Sequence, residues 1–219
     1  MTIPRHRGSR RTASPDLADV VAAARACRLC ADRLPLGPRP VLRVSTTARL
    51  LIVGQAPGAR VHASGLPFDD PSGARLQRWL GVDRATFYDA TRIAFLPSGL
   101  CFPGTAARGG DRPPEPVCAP TWHPRVRPLL TGVRLTLLVG MYAQAHYLAG
   151  RRAASLTETV RLWRSFLPAF WPVPHPSWRC NGWLKRNSWF EAEVVPSLQE
   201  HVREVLTAPL ATRQSAAQP

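Results

Sequence analysis

Four short apolar runs punctuate the chain: Leu50-Leu51-Ile52-Val53, Ile93-Ala94-Phe95-Leu96, Leu135-Thr136-Leu137-Leu138-Val139 and Ala169-Phe170-Trp171-Pro172-Val173. Their apolar positions do not alternate with polar ones, which is the pattern of strands buried on both faces. Helix-like segments separate them, at roughly 73–80, 124–131, 141–149, 157–166 and 189–206. The alternation predicts parallel strands joined by crossover helices, an α/β fold built as a three-layer αβα sandwich around a central four-stranded parallel sheet. An earlier helix is expected from Ser14-Pro15-Asp16, with Ser14 as cap and Pro15 in the first turn, to about Cys27. Ser188 and Glu191 stand at capping-box spacing at the head of the last helix, which Pro196 is expected to kink or split. Residues 1–13 form a charged arm without apolar periodicity, expected to be disordered. Residues 14–206 form the domain, and the tail from Thr207 is given no structure.

Composition narrows the class. A chain of 219 residues suffices for one well-buried domain, and 45% hydrophobic with 20% charged residues excludes wholesale disorder or a fibrous repeat. Charge changes the picture more. There are 29 basic residues against 14 acidic ones, a formal net charge of +15, and every basic side chain except Lys185 is Arg. A polyanion is the expected partner, with nucleic acid ahead of anionic lipid. No apolar run reaches the ~18 residues of a membrane span, and the basic N-terminus lacks the apolar stretch of a secretion signal. A soluble, cytoplasmic monomer is expected. Five cysteines, Cys27-x-x-Cys30 among them, favour metal over disulfides in such a chain. Cys27, Cys30, Cys101 and Cys118 suit either a four-cysteine zinc site or an iron-sulfur cluster, since thiolate serves both. Cys180 reads as a loop or core thiol.

A parallel sheet binds its ligand beyond the carboxyl ends of its strands, so chemistry is sought in the residues just after each run. After the first come Gly54-Gln55-Ala56-Pro57-Gly58 and Pro67-Phe68-Asp69-Asp70-Pro71-Ser72-Gly73. Pro97-Ser98-Gly99-Leu100-Cys101 follows the second, Gly140-Met141-Tyr142 the third and Pro174-His175-Pro176-Ser177 the fourth. None contains a Gly-rich phosphate-binding fingerprint.

With those residues in view, the chain resembles the uracil-DNA glycosylase superfamily over about residues 20–205, closest to its iron-sulfur branch, family 4. Gly54-Gln55-Ala56-Pro57-Gly58 looks like that family's first motif and His175-Pro176-Ser177 its second, while Cys27, Cys30, Cys101 and Cys118 repeat its cluster-ligand order. The resemblance implies a four-iron four-sulfur cluster on these cysteines and a monofunctional glycosylase. Such an enzyme flips uracil, or a related deaminated base, out of DNA and hydrolyses its glycosidic bond. It implies catalytic roles for His175, Gln55 and a carboxylate. Base contacts fall to Gly54, Gln55, Ala56, Phe68, Ser98 and His175, with Phe68 as the stacking platform. DNA contacts are expected from Ser177, Trp178, Arg179, Lys185 and Arg186, and phosphate contacts from Arg60, Arg75 and Arg78.

Two departures bear on mechanism. The best-known branch has a water-orienting carboxylate where this chain has Ala56, and Gln55, where family 4 commonly has Glu, cannot act as a base. Asp70 is the replacement expected, because Asp70-Pro71-Ser72-Gly73 resembles a segment of family 5. Asp69 is its rival, and a helix cap is the alternative role for Asp70. Family 4 also usually places an Asn before its third cysteine to read the base edge, and Leu96-Pro97-Ser98-Gly99-Leu100 has none. A catalytically weak protein that binds damaged or single-stranded DNA is the second reading.

Overall fold

The computed structural model describes residues 16–107 and 109–208. The expected basic arm, Ser14 and Pro15, and the tail beyond Ala208 lie outside the described residues. Four parallel strands, β1 (Leu50–Val53), β2 (Ile93–Phe95), β3 (Leu135–Val139) and β4 (Phe170–Val173), form one sheet in the order β2-β1-β3-β4. Leu50 pairs with Ile93 on one side and Leu135 on the other, and Thr136 pairs with Phe170.

The pleat divides the strands between two cores. Leu50 and Ile52 face one side, where α3 (Pro71–Leu80), α7 (Leu156–Arg161) and α9 (Val195–Thr207) cover them with Leu76, Trp79, Val160 and Leu198. Leu51 and Val53 face the other, against α1 (Leu17–Arg25), α5 (Cys118–Val126) and α6 (Met141–Tyr147), whose Val20, Trp122, Val126 and Ala143 close the second core. All four β1 side chains are buried, which at about 1.5–3 kcal/mol per large aliphatic side chain makes this strand the spine of the domain. The αβα sandwich is therefore present as expected.

Helix boundaries differ from expectation in instructive ways. α1 is capped by Asp16, whose Oδ1 accepts from Asp19 N at 2.8 Å. The segment expected at 124–131 starts earlier, at Cys118, with Pro124 inside it, and ends in a 3₁₀ turn at Arg127–Leu129. Burial of Ala119, Trp122, His123 and Val126 at helical spacing outweighs the hydrogen bond that Pro124 cannot make. A capping box occurs at Ser155 and Glu158 on α7, not at Ser188. Glu191 instead accepts from Trp79 Nε1 at 3.3 Å. The last helix splits as expected: a wide turn at Phe190–Val194 runs into α9, whose first turn holds Pro196. Three short helices had no apolar period to announce them: α2 (Ala59–Ser64), α4 (Arg84–Phe87) and α8 (Asn181–Arg186). Among the described residues, no helix is long and apolar enough to cross a membrane.

Candidate active site

Since all four strands run the same way, the segments that follow them converge at one edge of the sheet. The backbone of Gly54–Gly58 is sewn there to the loop after β2. Gly54 O accepts from both Ser98 N and Ser98 Oγ at 2.9 Å, and Gln55 O accepts from Gly99 N at 2.8 Å. Ser98 is buried and its hydroxyl is spent on this tie. The base-reading role expected of it gives way to holding the first motif in shape. His123, on α5, fixes the same loop from behind. Pro97 O can only accept, so His123 Nε2–H donates to it at 3.1 Å, and Nδ1 accepts from Tyr147 Oη at 2.8 Å. Burial lowers the pKa of His123 to about 4, consistent with this neutral tautomer.

Phe68 is held in an unusual conformation. Its φ is +55°, in the left-handed region that a bulky side chain rarely occupies. Three neighbours fix it. Tyr88 Oη donates to Phe68 O at 3.2 Å, Gly73 lies so close that a methyl there would overlap that same oxygen, and the ring packs over Gly54, where an added Cβ would be 3.0 Å from Phe68 Cζ. A strained backbone that its surroundings over-determine is typical of a ligand-contacting position. Asp70 caps α3, its Oδ1 accepting from Gly73 N at 2.8 Å. Asp69 is drawn away by Arg84 Nη2 at 3.2 Å.

His175 follows β4 and packs against Gly140, where an added Cβ would lie 3.2 Å from His175 Cβ. Desolvation lowers its pKa and the negative charge of Asp70 opposes that shift, so the imidazole is neutral at pH 7. Arg75 braces the turn after it, donating to Ser177 O at 3.0 Å and to Asn181 Oδ1 at 2.7 Å. Arg75 is thus a structural clamp in place of the expected phosphate contact. Trp178 is 73% exposed, with the Arg179 guanidinium 5.4 Å from its ring centroid.

These segments enclose a cavity of about 560 Å³ whose walls include Gly54, Gln55, Ala56, Phe68, Asp70, His175, Ser177, Trp178 and Arg179. The model of the uracil DNA glycosylase superfamily matches residues 43–199, more than half the chain, and spans every one of these residues. The chain belongs to the uracil DNA glycosylase superfamily. The superfamily domain thus places its first motif, Phe68, Asp70 and His175 around one opening. Asp69, Lys185 and Arg186 do not line it. Lys185 and Arg186 are exposed on α8. Trp183 and Trp189 pack with Phe190 against the core, their indole N–H groups bound by Thr157 and Asn187. Arg60 lines the cavity, whereas Arg78 donates to Ala74 O in its own helix.

Reasoning from sequence missed one carboxylate. Asp111, in the loop between Cys101 and Cys118, also lines the cavity, and its Oδ2 lies 3.2 Å from where a Cβ on Gly58 would stand. The residue keeps exposed surface. Even so, desolvation raises the pKa of its carboxyl, the charge of Asp70 adds to the rise, and Arg179 opposes it. Nothing in the local sequence, Gly109-Gly110-Asp111-Arg112-Pro113, marks it out from a turn residue.

Four half-buried thiols come from three separate segments of the chain: Cys27 and Cys30 after α1, ahead of the residues the superfamily model matches, Cys101 after β2, and Cys118 at the start of α5. Burial pushes Cys101 up to about 11, and Cys27 and Cys30 add to it. Burial pushes Cys118 up to about 12, with further rises from Cys101, Cys30 and Cys27, so the four sulfurs share one neighbourhood. Leu100 N–H donates to Cys118 Sγ at 3.2 Å. Among the described residues, no three His, Cys, Asp or Glu side chains stand close enough for a single metal ion. Thiolate serves zinc and iron-sulfur clusters alike. Cys180 is buried and apart from this set.

Proposed function

We propose that the domain is a monofunctional DNA glycosylase that draws uracil, or a related deaminated base, into the cavity and hydrolyses its N-glycosidic bond, leaving an abasic site. One observation carries this reading: a neutral His175, a strained Phe68 and a cavity-facing Asp70 surround one opening in a chain of net charge +15. Bond cleavage leaves positive charge on the sugar and negative charge on the base. His175 donates an N–H to the base oxygen as that charge grows, with main-chain N–H groups of the Gly54–Gly58 turn beside it. Phe68 stacks on the flipped base, worth about 1–3 kcal/mol. Asp70, anchored through one carboxylate oxygen, stabilises the cationic sugar. Trp178 is the exposed wedge that fills the gap left in the base stack, a gap whose opening costs a few kcal/mol. A monomer working in the cytoplasm completes the proposal.

The same reading assigns a four-iron four-sulfur cluster to Cys27, Cys30, Cys101 and Cys118. When bound, it supplies four iron-thiolate links that fasten the Cys101–Cys118 loop to the end of α1. Anaerobically purified protein is expected to be brown with about four irons per chain. Cys101→Ser should lose the iron and destabilise the fold, and Cys180→Ser should do neither. Stoichiometric zinc without iron contradicts the assignment.

The alternative, a binding protein without turnover, rests on Ala56, whose methyl packs on Gly99 where a carboxylate is missing. Oligonucleotides carrying uracil, hypoxanthine or xanthine, single- and double-stranded, incubated with protein and then cleaved with alkali, separate the two readings. Strand breaks at the deaminated base support the enzyme, and retention without breaks supports the binder. Affinity for undamaged duplex should fall with a log–log salt slope of about −0.9 per phosphate contacted. A flat response would reduce the arginines to a solvated coat.

A further inference from the structure

We propose that Asp111 is a catalytic carboxylate of this site and the base that takes a proton from the attacking water. This rests on the glycosylase reading and deepens it. A glycosylase that hydrolyses its substrate needs an acceptor for the water proton, and the other acidic candidates are committed or misplaced. Position 56 carries a methyl group, Asp69 is paired with Arg84 away from the cavity wall, and one oxygen of Asp70 accepts the capping N–H of Gly73. Among the described residues, Asp70 and Asp111 are the two carboxylates on that wall.

The loop holds Asp111 firmly. Residues 104–107 and 109–112 pair as a small hairpin, with Thr105 bridged to Asp111, Arg112 N donating to Gly104 O at 2.8 Å and Ala106 N donating to Gly110 O at 2.7 Å. The hairpin is tied across the cavity mouth on both sides. Gln55 Nε2 donates to Arg112 O at 3.2 Å from the first motif, and Arg179 donates to Gly109 O from the segment after His175. Gly110 permits this closeness, because a side chain there would collide with the Arg179 guanidinium. Asp111 is thus set beside the Gly58 backbone by contacts from both motifs.

The surroundings suit a base. Asp70 and Arg179 act on Asp111 with opposite sign, and Arg60 and His175 stand on the same wall. Local desolvation, with the charge of Asp70 reinforcing it, raises the carboxyl above the usual Asp range, and a raised pKa makes a carboxylate a stronger proton acceptor. In the step proposed, a C1′–O bond forms to water as the C1′–N bond breaks. The bonding pair leaves with the base, stabilised by His175 N–H, while one water proton passes to Asp111. That proton then goes to solvent, and the departed base anion takes one up from solvent.

Single-turnover release of uracil from an oligonucleotide, measured from acid to neutral pH for the parent, Asp111→Asn and Asp111→Glu, tests the assignment, with DNA affinity and thermal midpoint followed in parallel. The parent rate should fall on the acid side as Asp111 takes up its proton. Asp111→Asn should lower the plateau by about 10²-fold or more and abolish that acid limb, with affinity and midpoint unchanged. Asp111→Glu should recover part of the rate with the limb displaced. An active parent whose Asp111→Asn variant keeps the rate and limb overturns the assignment and leaves the glycosylase reading standing. A parent that binds but releases no base overturns both. If Asp111→Asn lowers the midpoint, Asp111→Glu decides, and a limb identical to the parent's overturns the proposal.

Discussion

His175→Ala is expected to slow single-turnover base release by about 10²–10³-fold while leaving affinity for uracil-containing DNA nearly intact. Removing one preorganised donor from a developing anion costs about 2.7–4 kcal/mol of transition-state stabilisation, and the geometry at His175 meets the conditions for that full effect. The ring lines the cavity, its pKa is lowered by desolvation so that it is neutral and a donor, and Gly140 and the Arg75 clamp hold its segment in place. Ground-state binding draws on different groups, chiefly Phe68, Trp178 and the arginines, which explains why affinity should survive. Parallel measurements of cleavage rate and dissociation constant check this. A variant that loses affinity and rate together would mean that His175 acts in binding or in folding.

Gly73→Ala is expected to destabilise the domain by about 3 kcal/mol or more, at or beyond the upper end of the overpacking range. Two effects compete. Ala is the better helix former by about 1 kcal/mol, but Gly73 lies in the first turn of α3, and a methyl there would overlap the carbonyl oxygen of Phe68. The obstacle is backbone held by Tyr88 and by the left-handed turn at Phe68, so it cannot swing aside as a side chain would. The overlap wins, and the thermal midpoint should drop by roughly 6–12 °C. Relief of the clash would also move Phe68 off the cavity wall, so any folded fraction should cleave more slowly. An unchanged or higher midpoint contradicts this packing.

The four strands were legible because a short run buried on both faces has a signature that depends on few neighbours. Their carboxyl-end loops then located Gly54–Gly58, Phe68, Asp70 and His175 without any tertiary information. Side chains whose roles depend on a distant partner were not legible. Ser98 reads as a base contact until its hydroxyl is seen bonded to Gly54 O, and Arg75 as a phosphate contact until it is seen bonded to Ser177 O. Lys185 and Arg186 follow the second motif closely in sequence, but α8 carries them off the cavity wall. Asp111 reaches the site only through a hairpin closed by its own backbone and tied to Gln55 and Arg179, in a stretch of Gly, Arg and Pro without apolar period. His123 looks like any helix residue until Pro97 and Tyr147 are found on either side of its ring.

The central claim is that this cavity breaks a glycosidic bond. Mass spectrometry of a single-turnover reaction on a uracil-containing oligonucleotide tests it most directly. The account predicts one free uracil per site, an abasic strand with its phosphodiester backbone intact, and no release from the matched thymine control. Tight binding with every base still attached would contradict it.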